Sequence, residues 1–489
     1  MNSRTGTLCA TRDLILTGQV KVLEVVQACL ERIRQTEPAI GALVNIQEEK
    51  ALERAREMDE HGPDKDKSLW GIPLTLKDII CTSDLPTTCG SKMLENFTPC
   101  YDATLTRRLR EAGAVILGKA NLDEFAMGSS TENSALKQTR NPWDLSRVPG
   151  GSSGGSAASI AAGQSLGSVG TDTGGSIRQP ASFCGVVGMK PTYGRVSRYG
   201  VVAFGSSLDQ AGPMAANTAD CAAILKVISG HDPMDSTSAD VPVPDYLSSL
   251  GHRKDLKGLR VGLPAQYWEG ELEPEVDRVC RNALEQVSLA GAETVPVDLP
   301  HAPHAVAAYY IIAMAEASSN LARFDGIRYG YRDEEARELM DMYCKTRSRA
   351  FGEEVQRRIM IGNYVLSAGY YDAYFKKAAQ VRRLIHLDFV QAFENCDLIC
   401  SPVVPFPAFR LGEKVDDPLQ MYLLDIFTAS LNLAGMAGIT IPAGLGDQSG
   451  MPVGIQFMGP AFSEELLLQT AHVLENYLPP LPSPRALNE

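Results

Sequence analysis

The chain has 489 residues, with 46 Lys and Arg against 59 Asp and Glu and a formal net charge of −13. A hydrophobic fraction of 44% with 21% charged residues suits a large packed core and excludes wholesale disorder. The acidic balance disfavours direct nucleic-acid binding, which needs clustered Lys and Arg, and no run of about 18 apolar residues is present to span a membrane.

The N-terminal stretch MNSRTGTLCATRDLILTG has no apolar core of signal-peptide length. The 11 cysteines run from Cys9 to Cys400 without a CxxC pair, which points to free thiols in a reducing cytoplasm. In residues 21–36, Leu23, Val26, Leu30 and Ile33 recur at helical spacing. A charged stretch follows to about Lys67. In GIPLTLKDII, Ile72, Leu74 and Leu76 alternate with Pro73, Thr75 and Lys77, the period of a strand with Lys77 on the face opposite the leucines. Residues 102–113 are expected to be helical and AVILGK to be a buried strand. Helix and strand alternate in this way along the chain, the pattern of an α/β fold.

Three short motifs in this half are decoys. Gly113-AVIL-Gly118-Lys119 has phosphate-loop spacing, but its interior is strand-like and Ala120 stands where a Mg²⁺-binding Ser or Thr is needed. Ser134-Ala-Leu-Lys137 fits SxxK, but neither SDN nor KTG follows. Gly150-Gly-Ser152-Ser-Gly154 fits the nucleophile elbow, yet the turn-like NPWDLSRVP precedes it instead of a strand. The seven histidines show no HExxH and no paired Cys–His spacing, so no zinc site is expected. His301 and His304, in a Pro-containing loop, read as plain surface residues.

Residues 150–200 hold 13 of the 43 glycines. Interleaved Ile160, Leu166 and Val169 and the apolar FCGVVGMK exclude a flexible linker. Glycine here serves sharp turns or close approach of the backbone to a substrate. SLGSVGTDTGGSIRQPAS reads as a strand, a Gly-Gly turn, Ser176 and a helix start. Backbone N–H groups in such a turn can converge on one oxygen. A serine nucleophile needs a base. Lys77 can serve if burial lowers its pKa, with Ser152 or Ser153 relaying the proton; the competing reading pairs Lys77 with Asp78. Farther on, 258–264 reads as a strand, 273–291 as a helix, 333–395 as mostly helical and 397–409 as a strand entering a Pro-rich loop. NLAGMAGITIPAG and MPVGIQFMG supply two more strands.

GGSSGGSAASIAAG followed by GTDTGGSIRQPASFCGVVGMKPTYGRVSRYG resembles the amidase signature family. The resemblance implies a large α/β single domain, a mixed twisted sheet covered by helices on both faces. Residues 1–66 would be an N-terminal helical segment, 67–215 the signature core, and 216–489 the part that completes sheet and substrate pocket. It also implies a Ser-cisSer-Lys triad: Ser176 as nucleophile, Ser152 in a cis peptide as bridge, Lys77 as base. The amides of Thr173, Gly174, Gly175 and Ser176 would form the oxyanion hole.

Segments 122–135, 139–158, 198–214, 317–330 and 352–382 extend the resemblance to the family's glutamine-hydrolysing branch. Leu136-Lys137 departs from the usual pattern there. For a free amino acid, an arginine fork suits the carboxylate; Arg358 is preferred over Arg357. A carboxylate suits the ammonium, and Asp425 resembles the family's residue for it; Tyr309 (or its neighbour Tyr310) offers a hydroxyl, and Ser129 in the MGSS loop would line the pocket. The resemblance implies a cytoplasmic heterotrimer with two partner subunits, and no metal or cofactor on this chain. ATP, Mg²⁺ and the main tRNA contacts would belong to one of those partners. The rival readings are a stand-alone amidase for a small amide and a scaffold with a vestigial triad.

Overall fold

The computed structural model of the chain describes residues 6–270, 272–414 and 418–484. The strands are β1 (Leu43–Ile46), β2 (Pro73–Lys77), β3 (Val115–Ala120), β4 (Gly167–Asp172), β5 (Val187–Lys190), β6 (Gln210–Ala215), β7 (Arg260–Pro264), β8 (Glu293–Val297), β9 (Leu398–Pro402), β10 (Ala437–Leu445) and β11 (Pro452–Gly459). Among the described residues they form one 11-stranded sheet in the order β1-β3-β2-β4-β6-β5-β10-β11-β9-β7-β8. β2 runs parallel to β3 and β4, and β7 runs parallel to β8 and β9. The pairs between these two patches are antiparallel, as is β1 with β3.

This mixed order follows from the connections. Parallel neighbours need a crossover, which the helix Thr104–Glu111 supplies between β2 and β3 and Pro274–Leu289 supplies between β7 and β8. Every residue of β2 to β6 and of β9 and β11 is buried. Strands buried on both faces require helices on both faces. The α/β architecture with a helix-covered mixed sheet is therefore the one the sequence implied.

Individual elements lie close to expectation. Residues 21–36 fall in the helix Val22–Ile40, which buries Val26, Leu30 and Ile33 and ends at left-handed Gly41, φ 66°. The GAVILGK segment is β3, so no phosphate loop forms. The 333–395 stretch holds the helices Leu339–Ala350, Glu353–Leu366 and Lys377–Asn395.

Two expectations need amending, and the departure from the family pattern finds a use. The 1–66 segment is not only helical, since it contributes β1, antiparallel to β3 at the sheet edge. The Leu136-Lys137 departure has a structural use: Lys137 Nζ lies 3.1 Å from Glu37 and also donates to the Leu43 carbonyl. His301 is not a plain surface residue, because its backbone N–H and Nδ1 each lie 2.8 Å from the Asp388 carboxylate.

Candidate active site

Lys77 is the last residue of β2, and its side chain is completely buried. Its Nζ lies 2.7 Å from Ser152 Oγ and 2.9 Å from Thr171 Oγ1. Burial pushes its pKa down to about 7, against the opposing pull of Asp123, Asp172 and Asp209. Asp78 is not its partner. That carboxylate faces Lys119 at 3.3 Å and accepts the Thr88 N–H at 3.0 Å. Successive residues at a strand end point to opposite faces, which separates the two.

Ser152 arrives on the loop before the helix Gly154–Ala161, and the Gly151–Ser152 peptide is cis. The loop is held from several sides. Gly151 N–H donates to Gln179 Oε1 at 2.8 Å, and Thr131 Oγ1 donates to the Gly150 carbonyl at 2.7 Å. A Cβ on Gly151 would sit 2.1 Å from Asp123 Oδ2, so the carboxylate's approach requires glycine there. Of the two adjacent serines, Ser152 meets Lys77. Ser153 instead donates its hydroxyl to the Thr171 carbonyl at 3.1 Å, while its N–H donates to the Ser176 carbonyl at 3.2 Å. That last bond ties the Ser152 loop to the Ser176 turn.

Ser176 stands between β4 and the helix Arg178–Cys184, half-buried while its neighbours are buried. The turn is organised by Asp172. Its carboxylate accepts from the N–H groups of Gly175 (2.9 Å) and Ile177 (3.2 Å), from Arg178 Nε (3.1 Å) and from Asn432 Nδ2 (2.9 Å). Burial alone would raise the Asp172 carboxyl; Arg178 beside it, aided by Lys190 and Asn432, outweighs burial and holds it below the ordinary carboxylate range. The expected oxyanion hole is thereby amended. The Gly175 amide is engaged by Asp172, which leaves the amides of Thr173, Gly174 and Ser176 as the candidate donors. Thr173 Oγ1 donates to Asp209 at 2.7 Å, and Thr428 Oγ1 donates to the Gly174 carbonyl at 2.5 Å.

The expected substrate residues gather beside this turn. Arg358, on the helix Glu353–Leu366, is 2% exposed. Its guanidinium lies 5.3 Å from the Tyr310 ring, 5.5 Å from Tyr422 and 5.6 Å from Phe204, and Nε donates to Glu354 at 2.7 Å. Arg357 has a side chain 40% exposed, so Arg358 is the inward arginine of the pair. Asp425 is buried and accepts from the Tyr310 hydroxyl at 2.7 Å. Burial raises its carboxyl to about 7, with Tyr310 and Arg358 opposing. The tyrosines divide the work: Tyr310 reaches Asp425, while the Tyr309 ring lies against the Ser176 turn, where a Cβ on Gly174 would be 2.5 Å from its Cζ. Ser129 is buried, and its carbonyl accepts from Gln179 Nε2 at 3.1 Å. It therefore borders the Ser152 loop, close to Gly151.

The Amidase family model matches residues 24–468. The chain belongs to the amidase family. It is 61% identical to the A subunit of the Solidesulfovibrio magneticus glutamyl-tRNA(Gln) amidotransferase over 483 residues, 99% of each chain. The A subunit of the Sulfurihydrogenibium sp. enzyme of the same name is 55% identical, covering 95% of each chain. Among solved structures, the A subunit of the Thermotoga maritima glutamyl-tRNA(Gln) amidotransferase is 43% identical, with a TM-score of 0.80 and 95% of both chains covered. The native peptide amidase of Stenotrophomonas maltophilia is 32% identical, with a TM-score of 0.81 and 98% of both chains covered.

Sequence reasoning passed over several amidase-site residues. Asp172 and Arg178 carried a signal, since they are the charged residues flanking a run of Gly, Ser and Thr. Thr171, Thr428 and Asn432 carried none, because their roles depend on contacts far along the chain. Among the described residues, no cluster of three His, Cys, Asp or Glu side chains is placed to hold a metal ion, and no helix is long and apolar enough to cross a membrane.

Proposed function

We propose that this chain is the glutamine-hydrolysing subunit of a tRNA-dependent amidotransferase. The carrying observation is the 2.7 Å contact between buried Lys77 and Ser152, one backbone hydrogen bond away from half-buried Ser176. Neutral Lys77 takes a proton from Ser152 as Ser152 takes one from Ser176. Ser176 Oγ attacks the side-chain amide carbon of glutamine. The oxyanion is met by the amides of Thr173, Gly174 and Ser176, in a setting where each such donor is worth about 3 kcal/mol. The relayed proton returns to the leaving nitrogen, ammonia departs, and water releases glutamate from the Ser176 ester.

Arg358 holds the glutamine carboxylate and Asp425, oriented by Tyr310, holds its ammonium. Tyr309 and Ser129 close the two sides. Ammonia passes to the amidotransferase's B subunit, which converts Glu-tRNA(Gln) to Gln-tRNA(Gln), or Asp-tRNA(Asn) to Asn-tRNA(Asn). ATP and Mg²⁺ act there and no cofactor is bound by this chain. A small third protein, the C subunit, completes a cytoplasmic heterotrimer. The acidic net charge of −13 agrees with tRNA contacts lying mainly on the B subunit. A stand-alone amidase is the weaker reading, since 61% identity over 99% of both chains links this sequence to one chain of an amidotransferase, against 32% for the peptide amidase.

Ser176→Ala in the reconstituted heterotrimer is expected to abolish ammonia release from glutamine while tRNA amidation driven by free ammonium chloride persists. Loss of both activities would assign Ser176 a structural role instead.

A further inference from the structure

Two adjacent acids, Asp123 and Glu124, follow β3, and both are buried. Their carboxylates reach in different directions. Asp123 accepts the N–H groups of Thr131 (2.8 Å) and Asn133 (3.2 Å) and abuts Gly151. Thr131 in turn brackets the Ser152 loop, donating to the Gly150 carbonyl at 2.7 Å and accepting the Gly154 N–H at 3.2 Å. Glu124 accepts from the Ser91 hydroxyl and from the Gly352 N–H at 2.8 Å. Gly352 caps the N-terminus of the helix Glu353–Leu366, which carries Arg358.

The backbone between these contacts is unusual. Phe125 (φ 49°), Ala126 (φ 61°) and Thr131 (φ 64°) are non-glycine residues in the left-handed region. Such conformations persist where the surroundings over-determine them, and they cluster at functional sites. Phe125 is pinned by its N–H to the Cys89 carbonyl at 2.8 Å and by the rings of Phe324 and Phe351, at 5.0 and 5.7 Å. Burial raises both carboxyls, Asp123 to about 6 and Glu124 to about 7. Burying two neighbouring carboxyls is costly, and a local packing role would be better filled by apolar side chains.

We propose that Asp123 and Glu124 are a pair of positioning residues, Asp123 for the loop that presents Ser152 and Glu124 for the helix that presents Arg358. One dipeptide then sets the separation between the proton relay and the carboxylate site. The inference rests on the glutaminase reading, and neither side chain touches the reacting atoms.

The test is steady-state glutamine hydrolysis by the assembled heterotrimer. Asp123→Asn is expected to lower kcat about tenfold or more with KM within about twofold, since a displaced relay slows chemistry. Glu124→Gln is expected to raise KM about fivefold or more with kcat within about twofold, since a displaced arginine weakens binding. Thr131→Val should reproduce the first pattern. Gly352→Ala should reproduce the second, because its Cβ would lie 2.5 Å from Glu124 Oε2. These two variants decide the matter if either acid variant fails to fold. The proposal is overturned if the two members of the pair shift the same parameter alike, or if neither shifts. A wild-type heterotrimer that releases no ammonia from glutamine would sink the glutaminase reading instead, a result no variant's kcat–KM split can produce.

Discussion

Two lysines occupy the ends of neighbouring parallel strands, Lys77 on β2 and Lys119 on β3, and both are completely buried. Lys77 is paired in register with Ala120, and Lys119 with Leu76, so the two side chains leave the sheet on opposite faces. On one face Lys77 meets the hydroxyls of Ser152 and Thr171. On the other, Lys119 meets the Asp78 carboxylate at 3.3 Å, the Ile80 carbonyl at 2.6 Å and the Thr87 hydroxyl at 2.8 Å. Burial is common to both; the partner differs. Lys119 has a carboxylate for a partner, whereas Lys77 has neutral hydroxyls at close range, which leave the effect of its burial unopposed there. The first arrangement braces a strand end and the second suits the base proposed for the relay.

The largest effect expected from this contrast is on chemistry. Lys77→Arg should lower glutamine hydrolysis about a thousandfold or more, because an always-protonated guanidinium cannot accept the relayed proton. Ammonia release within tenfold of wild type would end the assignment of a base to this face. Lys119→Met should act on the opposite quantity. It strands the buried Asp78 carboxylate and is expected to cost about 3–5 kcal/mol in urea unfolding, while the folded fraction hydrolyses glutamine at close to the wild-type rate. A catalytic loss larger than the loss of folded protein would erase the distinction between the two sites.

pH separates the faces further. Lys77 must be neutral to act, and burial brings it to about 7; Asp425 must be ionised to hold an ammonium, and burial brings it to about 7 as well. Both requirements are met above that value and lost together as pH falls. In the free enzyme two groups titrate, so kcat/KM should fall about a hundredfold per unit in the acid limb. A bound ammonium keeps Asp425 ionised, so kcat should fall only about tenfold per unit. Equal limiting slopes would remove Asp425 from the pocket. The smallest effect is reserved for Ser153→Ala. It removes a hydroxyl that latches Thr171 and is expected to cost about 1 kcal/mol of stability, with hydrolysis within an order of magnitude; a loss as deep as that of Ser152→Ala would exchange the roles of the two serines.

Much of this was legible in the sequence for physical reasons. Alternation in GIPLTLKD sent Lys77 to the face opposite Leu74 and Leu76, and the Gly-rich turns announced backbone brought close to a reacting centre. From the residues alone the choice between Ser152 and Ser153 was not legible, because both fit a tight Gly-rich turn; the family resemblance favoured Ser152, and the tertiary contact with Lys77 separates them. The same holds for Arg357 and Arg358, whose difference is which side of a helix meets Phe204, Tyr310 and Tyr422. The engagement of the Gly175 amide by Asp172 was hidden for another reason. A turn's spare N–H groups can be counted from sequence, but their acceptors cannot.

Under the proposed role of Arg358, its ion pair with Glu354, at 2.7 Å, makes recognition an exchange and not a capture. A ligand carboxylate entering beside Arg358 finds its cation already neutralised. It gains only the margin by which its own two-pronged contact exceeds a resident one-pronged contact. An amide without a carboxylate has nothing to trade and leaves the resident pair intact. Under that proposal the pocket discriminates by displacement, and modest affinity for the correct amino acid is the expected companion of firm refusal of uncharged amides.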